Sequence, residues 1–247
     1  MITRGIAGIA GRFLVGAGLL AAALQPAQAL GGSAVSSSDW GLSSQVVMVL
    51  GTRGSVCTGT LLSQNVIVTA AHCTAGSKQL AVAYFEDGRP ILQPVVSVAR
   101  NPGFSKKTAV SIDIALLRLE SDLPSRFRPM RIDSGGAGAN VGESFTVAGF
   151  GLSEDRDYRS AGTLRIATVE LLPRIFPRYL RIGLQGDLSE LAICKGDSGG
   201  PVISGGALVG VIYAAERTAK ARTCGATAQA IRLAPQRGWI DSVLARW

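Results

Sequence analysis

Short apolar runs separated by Gly, Ser and Asn recur along most of the chain, and this pattern predicts β-strands. A first group of predicted strands comprises Gln45–Leu50, Cys57–Leu62, Asn65–Ala70, Leu80–Tyr84, Leu92–Ala99 and Ile112–Leu119. A second group comprises Ser144–Gly149, Thr163–Leu172, Pro201–Ile203, Ala207–Ala214 and Thr227–Leu233. The small, turn-prone segment 133–138 lies between the groups. The pattern therefore predicts an all-β chain with two β-domains of similar size.

The two ends of the chain have different patterns. Residues 1–29 carry two arginines before position 13, then 12 apolar residues from Phe13 to Leu24, and end in a small-x-small sequence. This is typical of a secretory signal peptide, and the apolar run is shorter than the roughly 20 residues of a membrane-spanning helix. We expect export, to the periplasm or the extracellular space, without stable membrane insertion. At the other end, apolar residues between Trp239 and Trp247 recur at helical spacing and predict a helix packed on the body.

Composition limits the classes that remain. The chain has 247 residues, of which 47% are hydrophobic, and this argues against disorder, collagen and coiled coil. The net charge is +8, and removing a signal with two arginines and no acid leaves +6. A basic segment near the middle is interpreted as a solvated face, with a patch for polyanions or acidic substrates as the alternative. The two aromatic residues between its arginines are interpreted as packing residues and not as a nucleic-acid platform, so no nucleic-acid partner is expected. Its arginines are Arg165, Arg174, Arg178 and Arg181.

The four cysteines of an exported chain predict disulfides. Three connectivities are possible, and sequential pairing, Cys57 with Cys73 and Cys194 with Cys224, is the simplest. The alternative is a metal site of Cys57, Cys73 and His72, which lacks the paired C-x-x-C spacing of zinc sites. We expect no metal.

A glycine-rich segment around Ser198 is the first candidate for chemistry. The sequence of residues 196–201 is Gly-Asp-Ser-Gly-Gly-Pro, whose glycines permit a strained turn that exposes a serine hydroxyl. It is compatible with a plain turn and with the G-x-S-x-G motif of α/β-hydrolases. In those enzymes the histidine follows the serine, whereas the single histidine here, His72, precedes Ser198. A Ser-His enzyme must therefore have the histidine first.

Asp113 is the candidate third member. It lies within an otherwise apolar predicted strand, where a buried carboxylate needs a partner. That partner is either an arginine or the imidazole of His72. The order His72, Asp113, Ser198 favours the imidazole.

Three motifs, at residues 69–73, 113–117 and 196–201, resemble those of the chymotrypsin/trypsin-like serine proteases, peptidase family S1. The resemblance implies two six-stranded antiparallel β-barrels with a C-terminal α-helix and an active site between the barrels. The signal would cover residues 1–29, the first barrel 30–134 and the second 135–247. The sequential disulfides are also implied.

The resemblance assigns roles by position. Ser198 would be the acyl-forming nucleophile, His72 the general base and Asp113 the group that holds the imidazole. The backbone N–H groups of Gly196 and Ser198 would form the oxyanion hole. No metal or organic cofactor is needed.

The substrate-binding pocket departs from the trypsin-like pattern. Ala192 stands where those enzymes carry an Asp that binds Lys or Arg, and Ala228 stands at the usual second glycine. A pocket without an anion and partly filled by methyl groups predicts a small or medium apolar residue before the scissile bond. The remaining positions assigned to the pocket are Ile193, Tyr213, Ala214 and Ala215.

The N-terminus also departs from the family pattern. In the family, a new amino terminus pairs with the Asp before the nucleophile, here Asp197. The sequence Leu30-Gly31-Gly32 directly follows the predicted signal cleavage site. Our hypothesis is that signal removal makes the functional N-terminus, without a separate zymogen.

Together these features predict a secreted, monomeric serine endopeptidase acting on proteins or peptides. The alternative is a protease-fold binding protein that no longer cleaves, and a narrower enzymatic alternative is an esterase acting on small acyl groups.

Overall fold

In the computed structural model, the described residues are Met1 and 41–247, except 53, 109–110, 136, 139, 174–177, 184–192 and 217–221. The signal peptide and the predicted N-terminus at Leu30 lie outside these residues. No helix in this part of the chain is long and apolar enough to cross a membrane.

The first half of the chain forms a closed antiparallel barrel. Its strands are β1 (Val46–Gly51), β2 (Ser55–Ser63), β3 (Val66–Thr69), β4 (Leu80–Glu86), β5 (Arg89–Arg100) and β6 (Ala115–Leu119). They follow the order β1-β2-β3-β6-β5-β4 around the barrel. Strand β1 is apolar on both faces because Val47 and Val49 fill this barrel, whereas Val46 and Met48 belong to a cluster that includes residues of the second half.

The second half forms another closed antiparallel barrel. Its elements are β7 (Ser144–Gly149), β8 (Arg165–Leu171), β9 (Tyr179–Gly183), β10 (Ile193–Cys194), β11 (Pro201–Ser204), β12 (Ala207–Glu216), β13 (Cys224–Gly225) and β14 (Thr227–Arg232). The barrel order is β11-β12-β14-β9-β8-β7, and β10 pairs with β13 outside it. Fully buried side chains such as Phe145, Leu171 and Leu180 fill the interior. Helix α1 (Arg237–Leu244) buries Ile240 and Val243 in the cluster shared by both halves.

The predicted fold class is confirmed, with two six-stranded antiparallel barrels and a C-terminal helix. The sequential disulfides Cys57–Cys73 and Cys194–Cys224 are also present. The predicted boundary at residues 134/135 lies in the connection between β6 and β7. Strands β9, β10 and β13 are absent from the predicted set. Asp113 lies two residues before β6, not within a strand as its apolar surroundings suggested.

Candidate functional site

His72 and Asp113 are joined by two hydrogen bonds. His72 lies in a 3-10 turn, Ala71–Thr74, that follows β3. Its Nδ1 is 2.8 Å from Asp113 Oδ2, and its backbone N–H donates to Asp113 Oδ1 at 2.8 Å. The carboxylate thereby fixes both the ring and the turn that carries it. Asp113, whose side chain is only 10% exposed, is therefore paired with the imidazole and not with an arginine.

The serine turn is shaped by its glycines. Gly196 has a φ of +106° and Gly199 a φ of +88°, values that residues with a side chain rarely adopt. A Cβ on Gly199 would overlap the carbonyl oxygen of Thr58 and the Oγ1 of Thr69. The amides of Gly196 and Ser198 donate no hydrogen bond to any other described residue. Two backbone donors beside the serine hydroxyl are thus unpaired within the described chain.

One disulfide packs behind both catalytic candidates. Cys73 Sγ lies 3.7 Å from His72 Nε2 and 3.7 Å from the Ser198 carbonyl oxygen. His72 and Ser198 line the same cleft of about 340 Å³, together with Gly196. No hydrogen bond yet joins His72 Nε2 to Ser198 Oγ, a contact that often shortens only when substrate binds. Because Cys57 and Cys73 are bonded to each other, their sulfurs are not free to form the alternative metal site.

Asp197 is enclosed beneath the serine turn. Its side chain accepts hydrogen bonds from the amides of Gly151 and Cys194, both at 2.8 Å. A Cβ on Gly151 would come within 2.5 Å of the carboxylate, so only glycine fits there. Burial raises the pKa of Asp197 to about 6, against the opposing effect of the two amides and of Arg165. The predicted partner, the amino terminus at Leu30, lies outside the described residues.

Arg165 contradicts the interpretation of the basic segment as a solvated face, whereas Arg178 is exposed and Arg174 lies outside the described residues. Arg165 is only 5% exposed, and its guanidinium donates to the carbonyl oxygens of Gly151 (2.7 Å) and Ser160 (2.8 Å). Burial lowers the pKa of this guanidinium, and the Asp197 charge partly offsets that effect. Charge density along the sequence could not reveal this, because the partners are backbone carbonyls of the loop between β7 and β8, which leave no mark on the charge pattern.

Three of the predicted pocket residues meet in one apolar cluster. Ile193 and Ala228 are buried in it, and Ala215 packs against it. Ala215 pairs with Ala228 between β12 and β14, and Ala214 pairs with Gln229 beside them. Ala192, the residue at the position of the trypsin-like Asp, lies outside the described residues.

Tyr213 begins a polar chain that the sequence did not predict. Its hydroxyl donates to Gln229 Oε1, and Gln229 Nε2 donates to Glu216 Oε1 at 3.1 Å. Glu216 also accepts from Arg181 at 2.8 Å, and this bond is the main reason why its pKa falls to about 2. Burial, with smaller effects from Tyr179, Asp113 and Glu216, raises the pKa of Tyr213 to about 12. Glu216, which follows Ala215 on β12, is therefore neutralised by Arg181.

The class of protein follows from which candidate catalytic groups each barrel carries. The first barrel supplies an imidazole already oriented by a carboxylate, and the second presents a serine on a glycine turn. This division is that of a chymotrypsin-like serine endopeptidase. The family model described as Trypsin matches residues 30–240, and the chain belongs to the trypsin family.

Individual relatives agree with this assignment. Trypsin alpha of Drosophila melanogaster is 31% identical over 201 residues, covering 74% of this chain and 75% of that protein. Trypsin delta of Drosophila erecta is 29% identical over 199 residues, covering 74% and 77%. The solved structure of neuropsin, a serine protease expressed in the limbic system of mouse brain, has a TM-score of 0.68 at 18% identity. It covers 83% of this chain and 96% of its own, and shows the fold alone.

Proposed function

We propose that the protein cleaves peptide bonds through an acyl-enzyme formed on Ser198. The observation that carries the proposal is the pair of hydrogen bonds from His72 to Asp113. In this arrangement the Nδ1 proton is held by the carboxylate, which leaves Nε2 to accept the serine proton and later to protonate the leaving amine. The carboxylate stabilises the imidazolium that forms in between.

The oxyanion hole would consist of the amides of Gly196 and Ser198. Both are unpaired among the described residues, and both belong to the turn that carries the nucleophile. Donors already in place stabilise charge as it develops without a reorganisation cost, and one such donor contributes about 100-fold or more to the rate.

A fluorophosphonate probe tests this chemistry directly. We expect the wild type to be labelled and Ser198→Ala to be unlabelled, with both proteins folded by circular dichroism. His72→Ala should lose nearly all labelling, because the chain has no second histidine to substitute for it. A folded wild type that resists the probe would instead support the binding protein without activity.

For specificity, we propose cleavage after small or medium apolar residues. The methyl groups of Ala215 and Ala228 belong to one apolar cluster and would narrow the proposed pocket. The charge of Glu216 is paired with Arg181. A peptide library should show cleavage after residues such as Ala or Val and little after Lys or Arg. Ala228→Gly should shift the preference toward larger apolar residues. The matched control is Ala230→Gly, equally buried two residues further along β14, which should leave the preference unchanged.

We also propose that the protein is secreted and that signal removal creates its functional N-terminus. The family match begins at residue 30, directly after the predicted cleavage site, and both disulfides suit an oxidising compartment. The free amino group would pair with Asp197. Sequencing the secreted protein should give a start at or next to Leu30, and a start well beyond Gly32 would contradict the proposal.

A further inference from the structure

Thr58 connects the first barrel to the second through three hydrogen bonds, two of which go to the serine turn. It lies in β2 and is fully buried. Its backbone N–H donates to the Ser198 carbonyl oxygen at 2.8 Å. Its Oγ1 donates to the Gly196 carbonyl oxygen at 2.9 Å and accepts from the Phe150 amide at 3.0 Å. One residue thus holds the carbonyls of both proposed oxyanion-hole residues.

The direction of the Thr58 hydroxyl proton is determined by its neighbours. A hydroxyl has one proton to donate, and the Phe150 N–H already occupies an acceptor position on Oγ1. The proton is therefore directed to the Gly196 carbonyl. Because Thr58 has no exposed surface, bulk water does not compete for either bond.

Gly196 is a residue whose peptide planes need such support. It has no side chain, and its φ of +106° lies in the region that favours glycine. The peptide plane between Lys195 and Gly196 is fixed by a hydrogen bond of 3.0 Å from the Leu152 amide to the Lys195 carbonyl oxygen. In a planar trans peptide, the Gly196 N–H points opposite to that carbonyl. The plane after Gly196 is held by Thr58, so rotation is restrained on both sides of its Cα.

We propose that Thr58 is a positioning residue whose hydroxyl keeps the Gly196 amide aimed at the substrate's developing oxyanion. This inference rests on the proposed function, because it assigns Thr58 a role only through the oxyanion hole. Thr58 acts from the first barrel on a donor of the second. Its loss removes the restraint on the plane after Gly196 and leaves the Gly196 amide held only through the Lys195 carbonyl, so the amide is less precisely aimed.

Thr60 is a matched control within the same strand. It lies two residues further along β2, on the same face, and is also fully buried. Its Oγ1 has no hydrogen-bond partner among the residues that the structure describes, in contrast to that of Thr58. Replacing either threonine by valine exchanges a buried hydroxyl for a methyl group, and only at Thr58 does the exchange remove a hydrogen bond to the turn, that to the Gly196 carbonyl.

The experiment compares wild type, Thr58→Val, Thr58→Ser and Thr60→Val by fluorophosphonate labelling rate and by steady-state cleavage of a peptide. Removal of an oxyanion donor costs about 100-fold to 1,000-fold, and misorientation should cost less, about 10-fold to 100-fold. We expect that loss in kcat for Thr58→Val with KM nearly unchanged. Thr58→Ser, which keeps the hydroxyl, and Thr60→Val should stay within about threefold of wild type.

Thermal unfolding of each variant shows whether it is folded. If Thr58→Val does not fold, Thr58→Ala, which leaves room for a water, takes its place against Thr58→Ser. Equal rates for the Thr58→Val and Thr60→Val variants, or an equal loss in Thr58→Ser, would overturn the inference. A wild type that is folded but not labelled would instead refute the proposed function, so the two failures are distinguishable.

Discussion

The buried carboxylate of Asp197 makes a measurable prediction about stability and pH. Burial raises its pKa from 3.8 to about 6 in the folded protein. A raised pKa means that the folded state binds the proton more tightly than the unfolded state does. The resulting stability is therefore complete below pH 4 and is lost as pH rises through 6. A shift of this size corresponds to about 3 kcal/mol.

The assay is urea unfolding of a chain with an uncleaved tag ahead of residue 30, so that no free amino group can reach Asp197. The parent and Asp197→Asn, both also carrying Ser198→Ala to prevent autolysis, are unfolded at pH 4, 5, 6 and 7. Asparagine gives up one of the two amide hydrogen bonds, which adds an offset independent of pH. Asp155 and Glu216 have pKa values of about 2, so their effects on stability fall mainly below pH 5, and because they occur in both chains they cancel in the difference.

We expect the stability of the parent relative to Asp197→Asn to fall by about 2 kcal/mol between pH 4 and pH 7, because part of the full effect is already lost at pH 4. A difference in stability between the two chains that does not change across this pH range would refute the conclusion that burial determines the pKa of Asp197. After tag removal to free Leu30, pairing with the new ammonium group should abolish or reverse the trend. An unchanged trend there would contradict the proposed N-terminus.

Other substitutions test individual contacts. Asp113→Asn should lower kcat/KM by about 10⁴-fold at pH 7 without unfolding the chain, because it disturbs the tautomer of His72, and a loss below tenfold would contradict the triad. Gly199→Ala should destabilise the protein by more than about 2 kcal/mol in urea, since its Cβ overlaps Thr58 and φ is positive, and wild-type stability would show that the turn is not held there. Glu216→Gln should cost about 1 kcal/mol above pH 5, after allowance for solvent screening, and this deficit should vanish as pH falls toward 2. A deficit independent of pH would exclude the ion pair with Arg181 as its cause.

The chemical groups were predictable from the sequence because local motifs carry them. The order of His72, Asp113 and Ser198 can be read directly from the sequence, and the pattern of short apolar runs was sufficient to predict an all-β fold. Strand β9 was missed because Arg181 interrupts its apolar pattern, and the structure balances that charge with Glu216 from another strand.

Contacts between distant segments were not predictable in the same way. Thr58 and Thr60 are indistinguishable in sequence, yet only the former meets the serine turn. Even within one connection the sequence pattern was not sufficient, since Arg165 resembles a surface arginine but is buried on backbone carbonyls of the loop that precedes its own strand. Residues that orient the site depend on tertiary geometry, whereas residues that react are recognisable from their motifs.

The contacts of β2 with the serine turn have a consequence for the two halves as separate polypeptides. The Ser198 carbonyl is held by an amide of the other barrel, and the disulfide beside it also belongs to that barrel. A chain severed in the connection between β6 and β7 would yield a fragment that carries Ser198, the proposed nucleophile, without the contacts that support its turn. Turnover by mixed fragments would then depend on reassociation and on fragment concentration, so complementation would report directly on how tightly the barrels bind each other.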